Sequence, residues 1–251
     1  ADTLQHELSR LGARRESLDE ILSHHAYTTE TVKGLFGALQ RRPQEGFKPM
    51  GVLADFIDVD REFERAAEDF LREELEFVLV HDWNEARKGV DFLLSDLQGH
   101  ATFLIHPDQP IPGEDPVLGP ETGVTGRLAD HVRLTNGLSA SASLLLPKLR
   151  SCYLVEREDD AKRLAVRYPE LYFLLPTGLC FRGHTVSGGR KSSAGPLALK
   201  RELRELMPKL AAAELAFEQN RQAVVLAEEG TTRTTSEREE LRGAIQQAEK
   251  S

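Results

Sequence analysis

Apolar residues recur along this chain with two different periods. Near the start, Leu4, Leu8, Leu11, Leu18 and Leu22 keep a 4-3-4-3-4 spacing whose one missing place is taken by Arg15. A repeat of that kind holds one stripe of a helix against a partner helix, which is the seam of a coiled coil. The far end repeats the pattern with Leu199, Leu203, Leu206, Leu210, Ala213, Phe217, Asn220, Val224 and Ala227, while Glu, Arg and Gln crowd the other faces. Two heptad helices that bracket a compact region can pair antiparallel within one chain and bury each other's seam. Pro208 falls inside the second series and predicts a kink or joint there, because proline lacks the N–H that closes a helical turn.

Between the helices the short apolar runs are duplicated. Gly51 to Val59 (GVLADFIDV) is echoed by Gly126 to Leu134 (GRLADHVRL) at an offset of 75, and Glu76 to Val80 with Ala86 is echoed by Ser151 to Val155 with Ala161 at the same offset. An unchanged register over that distance marks an internal repeat. Each copy closes on a further apolar run, Ala101 to Ile105 in the first and Leu171 to Leu175 in the second. Strand, helix, strand, helix, strand is the predicted order of the unit, with Gly51 to Val59 as its opening strand. Phe63, Ala66, Ala67, Phe70 and Leu71 give the stretch from Arg61 to Leu75 a helical face, with an acidic, solvated face opposite. The equivalent stretch of the second copy holds Leu144-Leu145-Leu146-Pro147, shorter and more apolar, and is predicted to be buried.

The expected class is therefore α/β, two pseudo-symmetric subdomains flanked by an antiparallel coiled coil. Its predicted divisions are 1–42 for the first coiled-coil and lead-in helices, 45–105 and 123–194 for the two subdomains, and 195–251 for the returning helix. The linker 106–122 carries Pro107, Pro110, Pro112, Pro116 and Pro120 and cannot be a helix interior or a central strand.

Composition narrows the functions available. A net charge of −9 speaks against a globally basic nucleic-acid binder and leaves room only for a local patch. Cys152 and Cys180 sit in apolar runs too far apart for a CxxC pair, so they read as buried small hydrophobes and no zinc site is expected. No run approaches the roughly 18 apolar residues of a membrane helix, so the expected setting is cytosolic with no membrane partner.

The segment Leu179 to Ser193 invites a phosphate-binding reading through Gly183 and Gly188, but Gly189 and Arg190 intervene before Lys191-Ser192, and no helix begins behind the glycines. The order of motifs resembles instead the hinge domain of the structural-maintenance-of-chromosomes (SMC) family. Tyr27 to Leu35 looks like its first helix, Gly51 to Asp55 like its opening strand, Gly99-His100-Ala101-Thr102-Phe103 like its G-R-A-T-F stretch, and the glycine loop like its closing motif, with Arg182 where the leading glycine stands in the family.

The resemblance implies a dimerisation module that joins coiled-coil arms, as a homodimer or with a paralogous hinge. By the same resemblance it would be chromosome-associated, nucleoid-bound if bacterial, with ATP hydrolysis belonging to head domains and no cofactor, metal or catalytic residue expected here. An exposed strand edge from Tyr172 to Val186 would meet the partner, so Tyr172, Phe181, Gly183, Gly188 and Gly189 are the candidate interface, the glycines permitting close backbone approach. Plain turn chemistry is the competing account of the glycines.

From Arg182 to Arg204 the basic residues Arg182, Arg190, Lys191, Lys200, Arg201 and Arg204 face a single acid, Glu202, and form the candidate site for weak, non-specific DNA contact. Their other reading is a solvated helix face. His24-His25 falls at the end of a solvated helix; Asp55, Asp58 and Asp60 alternate as on an exposed strand edge; His81 to Glu85 reads as a strand end with a helix cap. None has a partner that would complete an acid/base pair. A duplicated α/β domain holding a small ligand between its copies remains the alternative.

Overall fold

A computed structural model describes residues 2–97, 99–106, 118–119, 121–138, 142–189 and 195–248. The chain opens with α1 (Asp2–Ser23) and α2 (Glu30–Arg41). The first copy runs β1 (Gly51–Val52), α3 (Leu53–Phe56), β2 (Ile57–Val59), α4 (Glu64–Phe70), β3 (Val78–Val80), α5 (Trp83–Phe92) and β4 (Phe103–Ile105). The second runs β5 (Val124–Arg127), a tight turn Leu128–His131, β6 (Val132–Leu134), α6 (Ala142–Leu145), α7 (Pro147–Arg150), β7 (Cys152–Val155), α8 (Glu158–Arg167) and β8 (Tyr172–Leu174). A hairpin of β9 (Cys180–Arg182) and β10 (Thr185–Ser187) and the long α9 (Pro196–Ala248) complete it.

The chain divides into two compact units, Ala1–Asp19 with Glu202–Ser251, and Glu20–Arg201. In the first, the Arg14 guanidinium holds the Glu202 carboxylate through two hydrogen bonds of 2.7 and 2.8 Å. Leu18, Leu206 and Leu210 are buried, Leu4, Leu8 and Leu11 half-buried, and Arg15 exposed, as the heptads predict. Helix α9 continues through Pro208, so the expected joint is not found there. The missing N–H removes one helical bond, while buried Leu206 and Leu210 flank it on the seam.

In the second unit the opening run is not one strand. Leu53, Ala54 and Phe56 are all buried, which a strand with one inward face cannot achieve, and the Val52 N–H donates to Asp55 Oδ2 at 3.1 Å to close a helical turn. The turn Leu128–His131 breaks the second copy at the same offset of 75. Asp55 thus lies on a turn and not on a strand edge.

Two sheets carry the copies. The first has order β1-β3-β4 and the second β10-β9-β8-β7-β5, so β1-β3-β4 corresponds to β5-β7-β8, with an antiparallel and then a parallel pairing in each. A separate antiparallel ribbon of β2 and β6 joins them, pairing Ile57 with Leu134, Asp58 with Arg133 and Val59 with Val132. Asp58 and Arg133 differ by the repeat offset, so each faces its own equivalent and the local two-fold axis passes between them. Arg133 also reaches Asp60 at 2.7 Å and His131 Nδ1 lies 3.0 Å from Asp60, which assigns these acids to ion pairing across the ribbon. Those donors hold the Asp60 carboxyl below its usual range.

One hydrophobic core spans both copies, and a smaller one lies on the far face of the five-stranded sheet. The alternation is visible strand by strand. Cys152, Leu154, Leu174 and Cys180 enter the large core, and Tyr153, Val155, Phe173 and Phe181 the small one. Leu145, Leu146 and Leu149 bury the short helices of the second copy, as predicted from their composition. Both cysteines are free and buried, and burial raises the Cys180 thiol to about 11 and raises that of Cys152 as well.

Candidate interface at the sheet edges

The two sheets end differently. In the second, β8 is covered by β9, and β9 by β10. In the first, β4 holds the place of β8, and no strand covers its outer edge among the described residues. On β4 the Val78 N–H donates to the Thr102 carbonyl at 2.9 Å and the His106 N–H to the Val80 carbonyl at 3.0 Å. The ladder to β3 therefore uses Thr102, Leu104 and His106, and leaves the N–H and C=O of Phe103 and Ile105 pointing to the bare side.

The outer edge of the second sheet is β10, exposed at all three residues, with Val186 at 60%. Gly183 and His184 form a two-residue hairpin loop between Arg182 and Thr185. Gly183 has φ +53° and His184 a negative φ, the pattern of a II′ turn, which asks for glycine at its first central position. In such a hairpin the flanking pair Arg182/Thr185 is hydrogen-bonded and the next pair, Phe181/Val186, is not. The N–H and C=O of Val186 consequently face outward, as ready-made strand-pairing groups.

This geometry redistributes the residues expected at the interface. Tyr172 lies on β8, an inner strand, so it is not at an edge; its hydroxyl accepts from Arg182 at 3.1 Å. Phe181 points into the small core and is 7% exposed, because strand alternation sends its side chain inward and that of Arg182 outward. Gly183 serves its own turn. A Cβ on Gly188 would come within 2.5 Å of the Leu179 side chain, whereas one on Gly189, at φ +131°, would meet nothing within 4 Å. Val186 ends the stretch the sequence singled out, whereas Phe103 and Ile105 were not singled out, since strands of three residues leave too short an alternation to reveal an outer edge.

The basic cluster is also reassigned in part. Arg182 stacks over the Tyr172 ring at 4.8 Å and lies 3.6 Å from Glu170. Lys200 donates to the Ala54 carbonyl, and Arg201 pairs with Glu64 at 3.1 Å. Arg204 lies in the first unit, on α9, with its own interactions, and Arg190 and Lys191 fall outside the described residues.

A cleft of about 380 Å³ opens between α4 and the β8–β10 side, lined by Asp69, Phe70, Lys148, Tyr172, Cys180 and Gly188. It is the place a ligand between the copies would occupy. Of its lining charges, Lys148 reaches the Phe70 carbonyl at 2.6 Å and Glu74 at 3.0 Å, and Asp69 pairs with Arg72 at 3.5 Å; Glu73 lines it as well. Among the described residues no group of three or more His, Cys, Asp or Glu is placed to hold a metal ion, and no helix is long and apolar enough to cross a membrane.

Comparison with known proteins bears on these edges. The sequence profile described as SMC proteins Flexible Hinge Domain matches residues 47–165. A chromosome partition protein Smc of Koribacter versatilis is 39% identical over 212 residues, 82% of this chain and 16% of that protein. One from Myxococcus xanthus is 29% identical over 220 residues, 84% of this chain and 18% of that one. The chain thus spans about a sixth of the length of these relatives. Among solved structures, an asymmetric dimer of the Geobacillus stearothermophilus SMC hinge domain shares the fold with a TM-score of 0.69 at 20% identity, covering 89% of this chain and 90% of that one. The Pyrococcus furiosus Smc hinge domain with an extended coiled coil follows at 0.51 and 19%, covering 87% and 77%.

Proposed function

This chain carries an SMC flexible hinge domain, and from that premise we propose that it joins two chromosome-partition protomers by pairing their bare sheet edges. The observation that carries the reading is the mismatch between the copies: among the described residues β4 has no neighbour where β8 has one, and β10 ends its sheet as an exposed strand. Head-to-tail association sets the β4 edge of one protomer against the β10 edge of the other, and two-fold symmetry makes the contact twice. Main-chain groups of Phe103 and Ile105 then meet those around Val186.

Gly189 fits this reading, because a position with open space around it in its own chain is one a partner backbone can approach. The role carried over from the Smc relatives is mechanical, linking two arms into one molecule, with no reaction assigned to this domain.

Val186→Pro tests the proposal. Proline removes the outward N–H but no bond of the β9–β10 hairpin, so the chain stays folded while the dimer weakens by at least about a hundredfold. Light scattering across a dilution series, with circular dichroism as the check on folding, reads both quantities. A folded variant that stays dimeric over the parent's concentration range refutes edge pairing through β10.

A further inference from the structure

The ends of the two long helices nearest the duplicated domain are held by carboxylates of the first copy. On the incoming side, His25 Nε2 lies 2.8 Å from Asp55 Oδ2, the Tyr27 hydroxyl donates to Asp55 Oδ1 at 3.2 Å, and the Thr29 N–H donates to Glu76 at 2.9 Å. His25 has φ +49° and stacks on Phe36 at 4.6 Å, so the chain turns sharply where α1 ends. This residue is not on a solvated helix end, as its sequence position suggested.

On the outgoing side, the Leu197 N–H donates to Glu68 at 3.0 Å, and Arg201 reaches Glu64, whose side chain is 3% exposed. A Cβ on Gly195 would overlap the Glu68 carboxylate where it stands, so a side chain there would push that carboxylate aside. Glu68 acts as a cap supplied from another element to the first turn of α9, offering an acceptor to N–H groups that have no partner within the helix.

The internal repeat shows what is special about these positions. At the offset of 75, Asp55 corresponds to Asp130, but Glu64, Glu68 and Glu76 correspond to Ser139, Ser143 and Ser151. Asp130 pairs with its neighbour Arg127 at 3.1 Å, and the Ser151 hydroxyl turns back on the Pro147 and Lys148 carbonyls; Ser139 lies outside the described residues. The copies share their strands and differ in these carboxylates, and the helix-end contacts described above fall on the first copy.

We infer that Asp55, Glu64, Glu68 and Glu76 form a clamp that fixes the helix ends entering and leaving the domain, and that it is built by three Glu-for-Ser differences between the copies. The inference rests on the hinge reading only in calling α1 and α9 arms, and it is independent of how two chains pair. Its consequence is that attachment of the arms can be loosened without disturbing either hydrophobic core.

The experiment is the triple variant Glu64→Ser, Glu68→Ser, Glu76→Ser, which gives the first copy the residues of the second. Hydrogen exchange of the whole chain should speed up at least about tenfold at 24–30 and 195–201 while β3 and β7 keep their protection. Unchanged exchange at both helix ends overturns the clamp, and so does an equal acceleration in β3 and β7, which would make the carboxylates part of general stability. If the triple variant does not fold, Glu76→Ser alone must speed exchange at Thr29, an exposed contact, or the inference fails. Glu68→Gln, which keeps an acceptor, should leave 195–201 protected, and loss of protection there overturns the capping role. Light scattering on the same samples reads dimerisation separately, so failure of the edge-pairing proposal and failure of the clamp are distinguishable.

Discussion

The first and second copies solve the same packing problem and then use their surplus surface differently. Both break their opening run with a turn at the same register, follow an antiparallel pairing with a parallel one, and meet each other across β2 and β6. The first copy lengthens α4, turns its carboxylates toward the helix ends, and among the described residues has no strand outside β4. The second shortens that helix into two buried turns and adds the β9–β10 hairpin on the strand that corresponds to β4. The difference teaches that the shared part of a repeat carries stability, while connection and association reside in what one copy has and the other lacks.

The largest effects should fall on the shared part. Leu53 and Leu128 occupy equivalent turns and are both fully buried, so each change to Ala should cost about 2–5 kcal/mol. Urea unfolding should find the two costs within about 1 kcal/mol of each other if the copies are equally well packed around those turns. A clearly larger loss at one would break the comparison.

Next come the edges. Ile105→Pro removes an outward N–H of β4 as Val186→Pro does of β10, so the two should weaken the dimer alike, by at least about a hundredfold or ~2.7 kcal/mol. Sedimentation equilibrium of either variant should find folded monomers, and weakening by one alone would show that β4 and β10 are not each other's partners.

Smaller still are the glycines. Gly189→Ala must adopt a positive φ and should cost about 1–3 kcal/mol, whereas Gly188→Ala asks only the end of the Leu179 side chain to move and should cost less. Reversal of that order in chemical denaturation would return Gly188 to the role of the tighter contact.

The smallest effect is a pH dependence of opposite sign at two glutamates of the first copy. Burial pushes Glu85 up, but the N–H groups of His81 and Lys48 and the His81 ring outweigh it and hold its pKa below the usual value. Its stabilisation is present above the ordinary carboxylate range and is lost as pH falls through the lowered value. Burial raises Glu68 despite the Leu197 and Ala198 N–H groups, so its contribution is present below the ordinary range and is lost as pH rises through the raised value. Glu85→Gln should lower the neutral-pH unfolding midpoint and flatten the acid limb, and Glu68→Gln should raise the neutral midpoint. Equal shifts in one direction would contradict the assignment.

Much of this was legible in the sequence. The offset of 75, the heptads and the cap at Asp82, whose carboxylate accepts the Glu85 N–H at 2.7 Å, are local patterns set by neighbours in the chain. The acidic side of α4 was read as solvated because its partners are remote. Leu197 lies 129 residues from Glu68 and Arg201 137 from Glu64, and no periodicity records such a meeting. Phe181 was misplaced for a related reason: an apolar residue beside a glycine loop looks the same whether its strand turns it inward or outward. Lys200 and Arg201 were counted as free charge on the same grounds.

Asp58 and Arg133 stand on either side of the local two-fold axis. Had the two halves been separate, identical polypeptides, the same strand pairing would have set one residue against itself at roughly 5 Å, and a charge of either sign would repel its copy. Opposite charges at one symmetric position require two halves that differ in sequence, as the two copies within this chain do. That ion pair is therefore a contact that the two unlike halves of this chain can make and two identical halves could not.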